Sequence, residues 1–232
     1  MAVNKADILV VTAHPDDAEF GASGTIAKWI KEGKQVVYIV CTDGEKGTED
    51  VSLKPEALAA LRKKEQRAAA KVLGVREVVF LGYPDGGLED CHELRRDIVR
   101  HIRMYRPDIV LTANPYRRYI WHRDHRISGV VTLDAVYPFA RNGPSYPELI
   151  QEGLKPHSVK HIYLWGAIDD INYRSDITST FDIKLAALKC HKSQVGDKFD
   201  WVEKRMRDWA KEMAKGQAFK LAEAFHHEEI MW

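Results

Sequence analysis

Four short runs of aliphatic and β-branched residues, Ile8 to Thr12, Val36 to Cys41, Val78 to Leu81 and Ile109 to Thr112, alternate with longer segments of helical periodicity. The first helical segment, Gly24 to Lys31, carries Ile26, Ala27 and Ile30 on one side and stops at Gly33. The second, Pro55 to Leu73, aligns Leu58, Leu61, Ala68, Ala69 and Val72 and is closed by Gly74. The third, Cys91 to Tyr105, aligns Leu94, Ile98, Val99 and Ile102 ahead of Pro107. Short apolar runs bounded by turn residues are buried strands, and helices of this length between them act as crossovers. The pattern therefore predicts an α/β, Rossmann-like fold with a largely parallel sheet flanked by helices. Segregated strands and helices would account for it less well.

The second half is less regular. Ile127 to Phe139 reads as a helix, 142–156 as a loop, and His161 to Trp165 and Ile177 to Phe181 as strands. Ile183 to Cys190 and Trp201 to Ala214 read as closing helices. No repeat, low-complexity tract or linker divides the chain, so residues 1–232 are expected to form a single domain. A length of 232 residues, 45% hydrophobic and 30% charged, suits one globular core. The formal net charge of +1 offers no electrostatic pull on nucleic acid or an anionic membrane. No run approaches the roughly 18 apolar residues of a membrane span, and Met1 to Asp7 lacks a signal-peptide core. Cys41, Cys91 and Cys190 form no CxxC pair, which argues for reduced thiols in the cytoplasm and against a cysteine-based zinc site.

The chemistry begins where the first strand ends. Ala13-His14-Pro15-Asp16-Asp17 follows it directly, at the carboxyl rim where open α/β sheets bind ligands. His14 and Asp17, three apart across a tight turn, can point at one ion while Asp16 stays free to move protons. A hydrolytic zinc site takes three protein ligands and leaves a position for water. His122-Arg123-Asp124-His125 lies beyond the fourth strand on the same rim, so His125 can supply the third ligand. The competing reading makes Asp16 and Asp17 helix caps and leaves His122 and His125 on the surface. Two such clusters at one rim favour a mononuclear zinc hydrolase.

These motifs resemble the PIG-L/LmbE-like family of zinc-dependent N-acetylglucosaminyl deacetylases, and the similarity runs over most of the chain. AHPDD at Ala13 to Asp17 and HxDH at His122 to His125 carry most of the specificity. Thr42-Asp43-Gly44-Glu45-Lys46-Gly47, Tyr83-Pro84-Asp85-Gly86-Gly87-Leu88 and His191-Lys192-Ser193-Gln194 add weaker matches. Arg123 stands where the family usually has proline. The resemblance implies Zn2+ held by His14, Asp17 and His125, with Asp16 as the general base. It also implies that His122, oriented by Asp124, stabilises the oxyanion and protonates the leaving amine. Arg62 and Asp85 are implied to hold sugar hydroxyls. The expected reaction removes acetyl from an N-acetylglucosamine-type sugar or conjugate.

Other signals are weaker. Asp43 and Glu45 sit on the same rim and could support the site. Asp85 lies in a Pro-Asp-Gly-Gly turn signature. Trp121 could stack on a sugar or pack in the core. His191 reads as shaping a helix end, and Phe225 to Glu229 as an exposed tail segment. Gly21 to Gly24 matches no phosphate-loop pattern. Two alternatives stay open: an amidase for larger acyl or thiol-conjugate substrates, and a non-catalytic sugar- or nucleotide-binding module. A module of the second kind has no need of a free base beside a metal. The expected partner is a small amino-sugar substrate; the oligomeric state is left open, a homo-oligomer included.

Overall fold

The computed structural model describes residues 5–231. Its centre is one seven-stranded sheet in the order β3-β2-β1-β4-β5-β7-β6. The strands are β1 (Ile8–Thr12), β2 (Val36–Thr42), β3 (Glu77–Tyr83), β4 (Ile109–Ala113), β5 (His161–Trp165), β6 (Tyr173–Asp176) and β7 (Ala222–Glu229). β1 to β5 run parallel to one another, whereas β7 runs antiparallel to both β5 and β6. The helices are α1 (Asp17–Gly21), α2 (Ser23–Lys31), α3 (Pro55–Leu73), α4 (His92–Tyr105), α5 (Arg123–Asp134), α6 (Pro147–Gln151), α7 (Phe181–Leu188), α8 (Lys192–Val195) and α9 (Phe199–Met213).

Strand side chains alternate between faces, and the core divides accordingly. Leu9, Val11, Val37 and Ile39 pack with Leu94, Ile98 and Ile102 of α4 and with Val131 of α5. Ile8, Val10, Val36 and Tyr38 pack on the opposite side with Ile26 and Trp29 of α2 and with Ala69 and Leu73 of α3. Each fully buried Leu or Ile contributes roughly 1.5–3 kcal/mol, so these two layers hold the parallel strands in register. Ile177, Phe181, Leu185, Ala210 and Leu221 form a satellite cluster between α7 and α9.

The strand order reverses at β1. β2 and β3 lie on one side of it and β4 and β5 on the other, which opens a crevice at the carboxyl ends of β1 and β4. The AHPDD segment leaves β1 there, and the residues leading to His122 leave β4.

The 142–156 segment is not all loop, since it holds the short helix α6, and three further expectations are corrected in the second half. Ile177 to Phe181 is not a strand: β6 lies just before it, and Ile177 and Phe181 are buried in the satellite cluster. Phe225 to Glu229 is not an exposed tail but part of β7, an inner strand bonded on both edges. Helix α5 starts at Arg123 and ends its regular turns at Asp134; Tyr137 is extended before Pro138, and proline has no N–H to continue the helix. Among the described residues no helix is long and apolar enough to cross a membrane.

Candidate active site

His14, Asp16 and Asp17 are all buried although each is ionisable. The β1-to-α1 turn is held by Asp17 Oδ2, which accepts the His14 backbone N–H at 2.7 Å. Asp16 takes a positive φ of 96°, so successive side chains of the motif leave in different directions. Asp17 turns toward the histidines: its Oδ1 is 2.9 Å from His125 Nε2, and its Oδ2 is 3.6 Å from His14 Nδ1. His14 Nδ1 lies 3.2 Å from His125 Nε2. Tetrahedral ligands about 2.0–2.2 Å from one ion stand roughly 3.4 Å apart; Asp17 reaches the two rings through different oxygens, and the groups whose single ligand atoms already converge are His14, His122 and His125, and His14, Asp85 and Asp124. His122 also brings a ring nitrogen within 4.8 Å of those of His14 and His125.

The far side of His14 explains how the ring is aimed. His14 Nε2 faces Asp85 Oδ1 at 3.1 Å and Asp124 Oδ2 at 3.3 Å. Carboxylates on the distal nitrogen fix a ligating imidazole's tautomer and strengthen it as a donor. Burial alone would lower the pKa of His14, but the charge of Asp17 and bonds to Asp124, Asp17 and Asp85 push it up to about 12. Burial acts in the opposite sense on Asp17, and His125 and His14 overcome it, holding the carboxyl well below the usual range. The carboxylates thus create a strong local demand for a cation.

Asp124 has a different partner from the one expected. Its carboxylate accepts from Gly86 and Leu88 N–H and faces His14 rather than His122. Its backbone N–H, 3.2 Å from His122 Nδ1, is what holds the His122 ring. The reason is local: His122 is the N-cap of α5, so its ring folds back on the helix's unsatisfied amides. Burial, then His14 and His125, lower the pKa of His122. With Nδ1 accepting, the neutral ring carries its proton on Nε2.

Asp16 belongs to another network. Arg62 Nη2 donates to Asp16 Oδ2 at 3.1 Å and to Pro15 O at 2.6 Å, and Nη1 donates to Gly44 O at 2.9 Å. Gly44 must be glycine: a Cβ would stand 2.3 Å from the guanidinium, and its φ is +66°. Burial raises the pKa of Asp16 to about 6, with Arg62 opposing it. Gln66, one turn beyond Arg62, accepts the Asp16 N–H at 2.9 Å and donates to Glu19 at 3.0 Å. Glu19 in turn stands 3.3 Å from His191, which is wholly buried.

Sequence reasoning missed Gln66 and Glu19, although Arg62, Glu65, Gln66 and Ala69 share one side of α3 at helical spacing. Arg62 was expected to grip substrate; its guanidinium is instead engaged with Asp16 and two carbonyls. Asp85 sits in its turn, where Glu45 holds its N–H and its Oδ2 accepts from Lys46 N–H. Asp43 pairs with Lys63. Trp121 packs edge-on against His125 with ring centroids 4.8 Å apart.

A cavity of about 600 Å³ opens over these residues, with His14, Asp16, Asp17, His122, His125 and Arg62 at one end. The fold carries, at the carboxyl rim of its sheet, a His/Asp cluster that could hold a metal ion. The chain belongs to the PIG-L family, described as GlcNAc-PI de-N-acetylase, whose model matches residues 9–136. It is 36% identical over 187 residues to the diacetylchitobiose deacetylase of Thermococcus kodakarensis, covering 81% of this chain and 69% of that protein. It is 26% identical over 211 residues to a probable N-acetyl-alpha-D-glucosaminyl L-malate deacetylase 2 of Bacillus anthracis, covering 88% of each. The structure of N,N'-diacetylchitobiose deacetylase from Pyrococcus horikoshii, complexed with its inhibitor MPG, superposes with a TM-score of 0.91 at 33% identity. It covers 97% of this chain and 84% of that one.

Proposed function

We propose that the chain is a zinc-dependent hydrolase that removes the N-acetyl group from an N-acetylglucosamine-type amino sugar or conjugate, with His14, Asp17 and His125 as the metal ligands. One observation carries this reading: adjacent carboxylates divide their work. Asp17 converges with His14 and His125, while Asp16 points into the hold of Arg62. Two imidazoles and a carboxylate suit a catalytic zinc, and other divalent ions share the preference. A zinc ion there supplies an acidified water and a polarised amide carbonyl.

The chain's own groups do the rest. Asp16, raised by burial to about 6, is ionised at neutral pH yet basic enough to take a proton from the attacking water. Arg62 and Gln66 fix where that proton is taken. His122 Nε2–H donates to the oxyanion that forms at the carbonyl oxygen. As the C–N bond breaks, protonated Asp16 returns the proton it took from the water to the departing amine. Asp124 and Asp85 keep His14 aligned, and Asp85 with Lys46 borders the cavity where sugar hydroxyls would lie. The three free thiols suit a reducing compartment, and we place the reaction in the cytoplasm.

The test is the zinc-loaded chain incubated with N-acetylglucosamine, diacetylchitobiose and N-acetylglucosaminyl malate, scored for free amine and acetate. Equimolar release of both supports the reading; no amine from any N-acetylated sugar in a wider panel overturns it.

A further inference from the structure

The cavity continues past the site along α9. That helix presents Met206, Trp209, Ala210 and Met213 to it, at the spacing of a single helix face. Phe20, Trp165 and Ile177 stand among the other walls of this part. The space is about 600 Å³ in all, within the roughly 300–1,000 Å³ that drug-sized ligands occupy, and more than one monosaccharide fills.

The buried polar pair at this end is already committed, while the exposed Arg205 of α9 borders the cavity and lies over the Trp201 ring. Lys184, itself buried, donates to Glu223 at 2.7 Å and to Phe20 O at 2.8 Å. Glu223 also accepts from Gly24 N–H at 2.9 Å, Thr25 N–H at 2.7 Å and Thr25 Oγ1 at 2.6 Å. A second sugar here would lose water from its hydroxyls and meet Met206, Ala210, Met213 and Ile177, with Phe20, Trp165 and Trp209 adding ring faces, at a cost of roughly 1–3 kcal/mol for each unpaired group. An alkyl or aryl group loses nothing polar.

We propose that this end of the cavity receives an apolar alkyl or aryl arm of the amide substrate, with Met206, Trp209 and Met213 of α9 setting the preference. The inference rests on the deacetylase reading above and names its substrate class. Such an arm has two sources: an apolar aglycone on the sugar, or an acyl group longer than acetyl.

Two substrate series distinguish them on the zinc-loaded enzyme, each kept below micelle-forming concentrations and followed by amine release. One series is the methyl, butyl, hexyl and octyl glycosides of N-acetylglucosamine; the other is N-acetyl-, N-butyryl- and N-hexanoylglucosamine. In one series kcat/KM rises with chain length, by up to about fourfold for each methylene buried. The octyl-to-methyl or hexanoyl-to-acetyl ratio then collapses toward one in the Met206→Gln/Met213→Gln double variant. Flat responses in both wild-type series overturn the proposal without reference to any variant. So does a preference for diacetylchitobiose over the octyl glycoside, or a ratio that the double variant leaves intact. Failure of the methyl glycoside and every other N-acetylated sugar to release amine would instead overturn the deacetylase reading.

Discussion

The two ends of the cavity are buried by different means. At the inner end the residues after β1, β3 and β4 crowd four carboxylates, Asp16, Asp17, Asp85 and Asp124, around His14 and its neighbours. At the far end α9, β7 and the residues before α7 present aliphatic side chains, and the one buried ion pair, Lys184–Glu223, is closed on itself. The first arrangement gathers acidic groups around imidazoles that could hold a cation. The second is complete, and its polar groups hold the start of α2 in place rather than face a ligand. Chemistry is thus assigned to loops on the parallel rim, and the shape of the substrate to the antiparallel edge.

The largest effect should come from removing a ligand. His125→Ala should abolish stoichiometric zinc binding and with it turnover, while the fold stays intact because His125 sits at a rim and not in the core. Metal analysis of the purified variant checks this, and full zinc occupancy would break the assignment. Asp16→Asn should retain zinc yet lose about two to four decades in kcat, the usual contribution of a positioned general base. Near-normal turnover with zinc bound would return the base to another group.

At the opposite end the same kind of substitution should act on stability. Lys184→Met leaves Glu223 buried without its cation, a change that costs about 3–5 kcal/mol in comparable pairs. Denaturant unfolding should show the loss while zinc content stays at one per chain. If zinc were lost as well, the two ends would not be separable.

Arg62 lies at the inner end, bonded to Asp16 and to the carbonyls of Pro15 and Gly44. Arg62→Ala removes a charge-assisted bond worth roughly 1.5–3 kcal/mol, about one to two decades in rate. Because Arg62 holds Asp16, the loss should fall on kcat for every substrate alike. A loss confined to KM for sugars would restore Arg62 as a substrate contact.

What could be read from the sequence follows the same division. β1 and AHPDD were legible because a continuous buried strand and its exit turn are both local in sequence; Ile8–Thr12 is found as expected. α3 likewise spans Pro55–Leu73, marked by a proline at its start and a glycine at its end. β7 was illegible: His226, His227, Glu228 and Glu229 read as a polar tail, and only pairing with β5 and β6 makes a strand of them. Strand formation there depends on neighbours, not on intrinsic preference. The hold of Gln66 on the Asp16 backbone joins residues fifty apart, which no local pattern announces. The partner of Asp124 was misjudged for a similar reason, since His14 comes from a different strand.

The smallest prediction contrasts two buried histidines. His14 is driven upward because carboxylates outweigh its burial. His101, on α4 and remote from the cavity, has no such company: its Nδ1–H donates to Asp97 O at 2.7 Å, and its ring stacks on Tyr105. Burial, the largest influence, therefore lowers its pKa, with the Arg100 charge adding to the effect and Asp97 and Glu77 opposing it. The folded state then refuses a proton that the unfolded chain binds near its ordinary value of about 6.5. Stability is fully present above that pH and falls as pH drops toward the folded value, with a slope of at most about 1.4 kcal/mol per pH unit. His101→Asn keeps a donor for Asp97 O but cannot titrate, so its unfolding free energy should fall less between pH 6.5 and 5 than that of the wild type. Measuring both proteins under the same zinc concentration cancels the metal's own pH dependence. Parallel stability curves would mean that burial does not control this histidine, and that the contrast with His14 rests on the carboxylates alone.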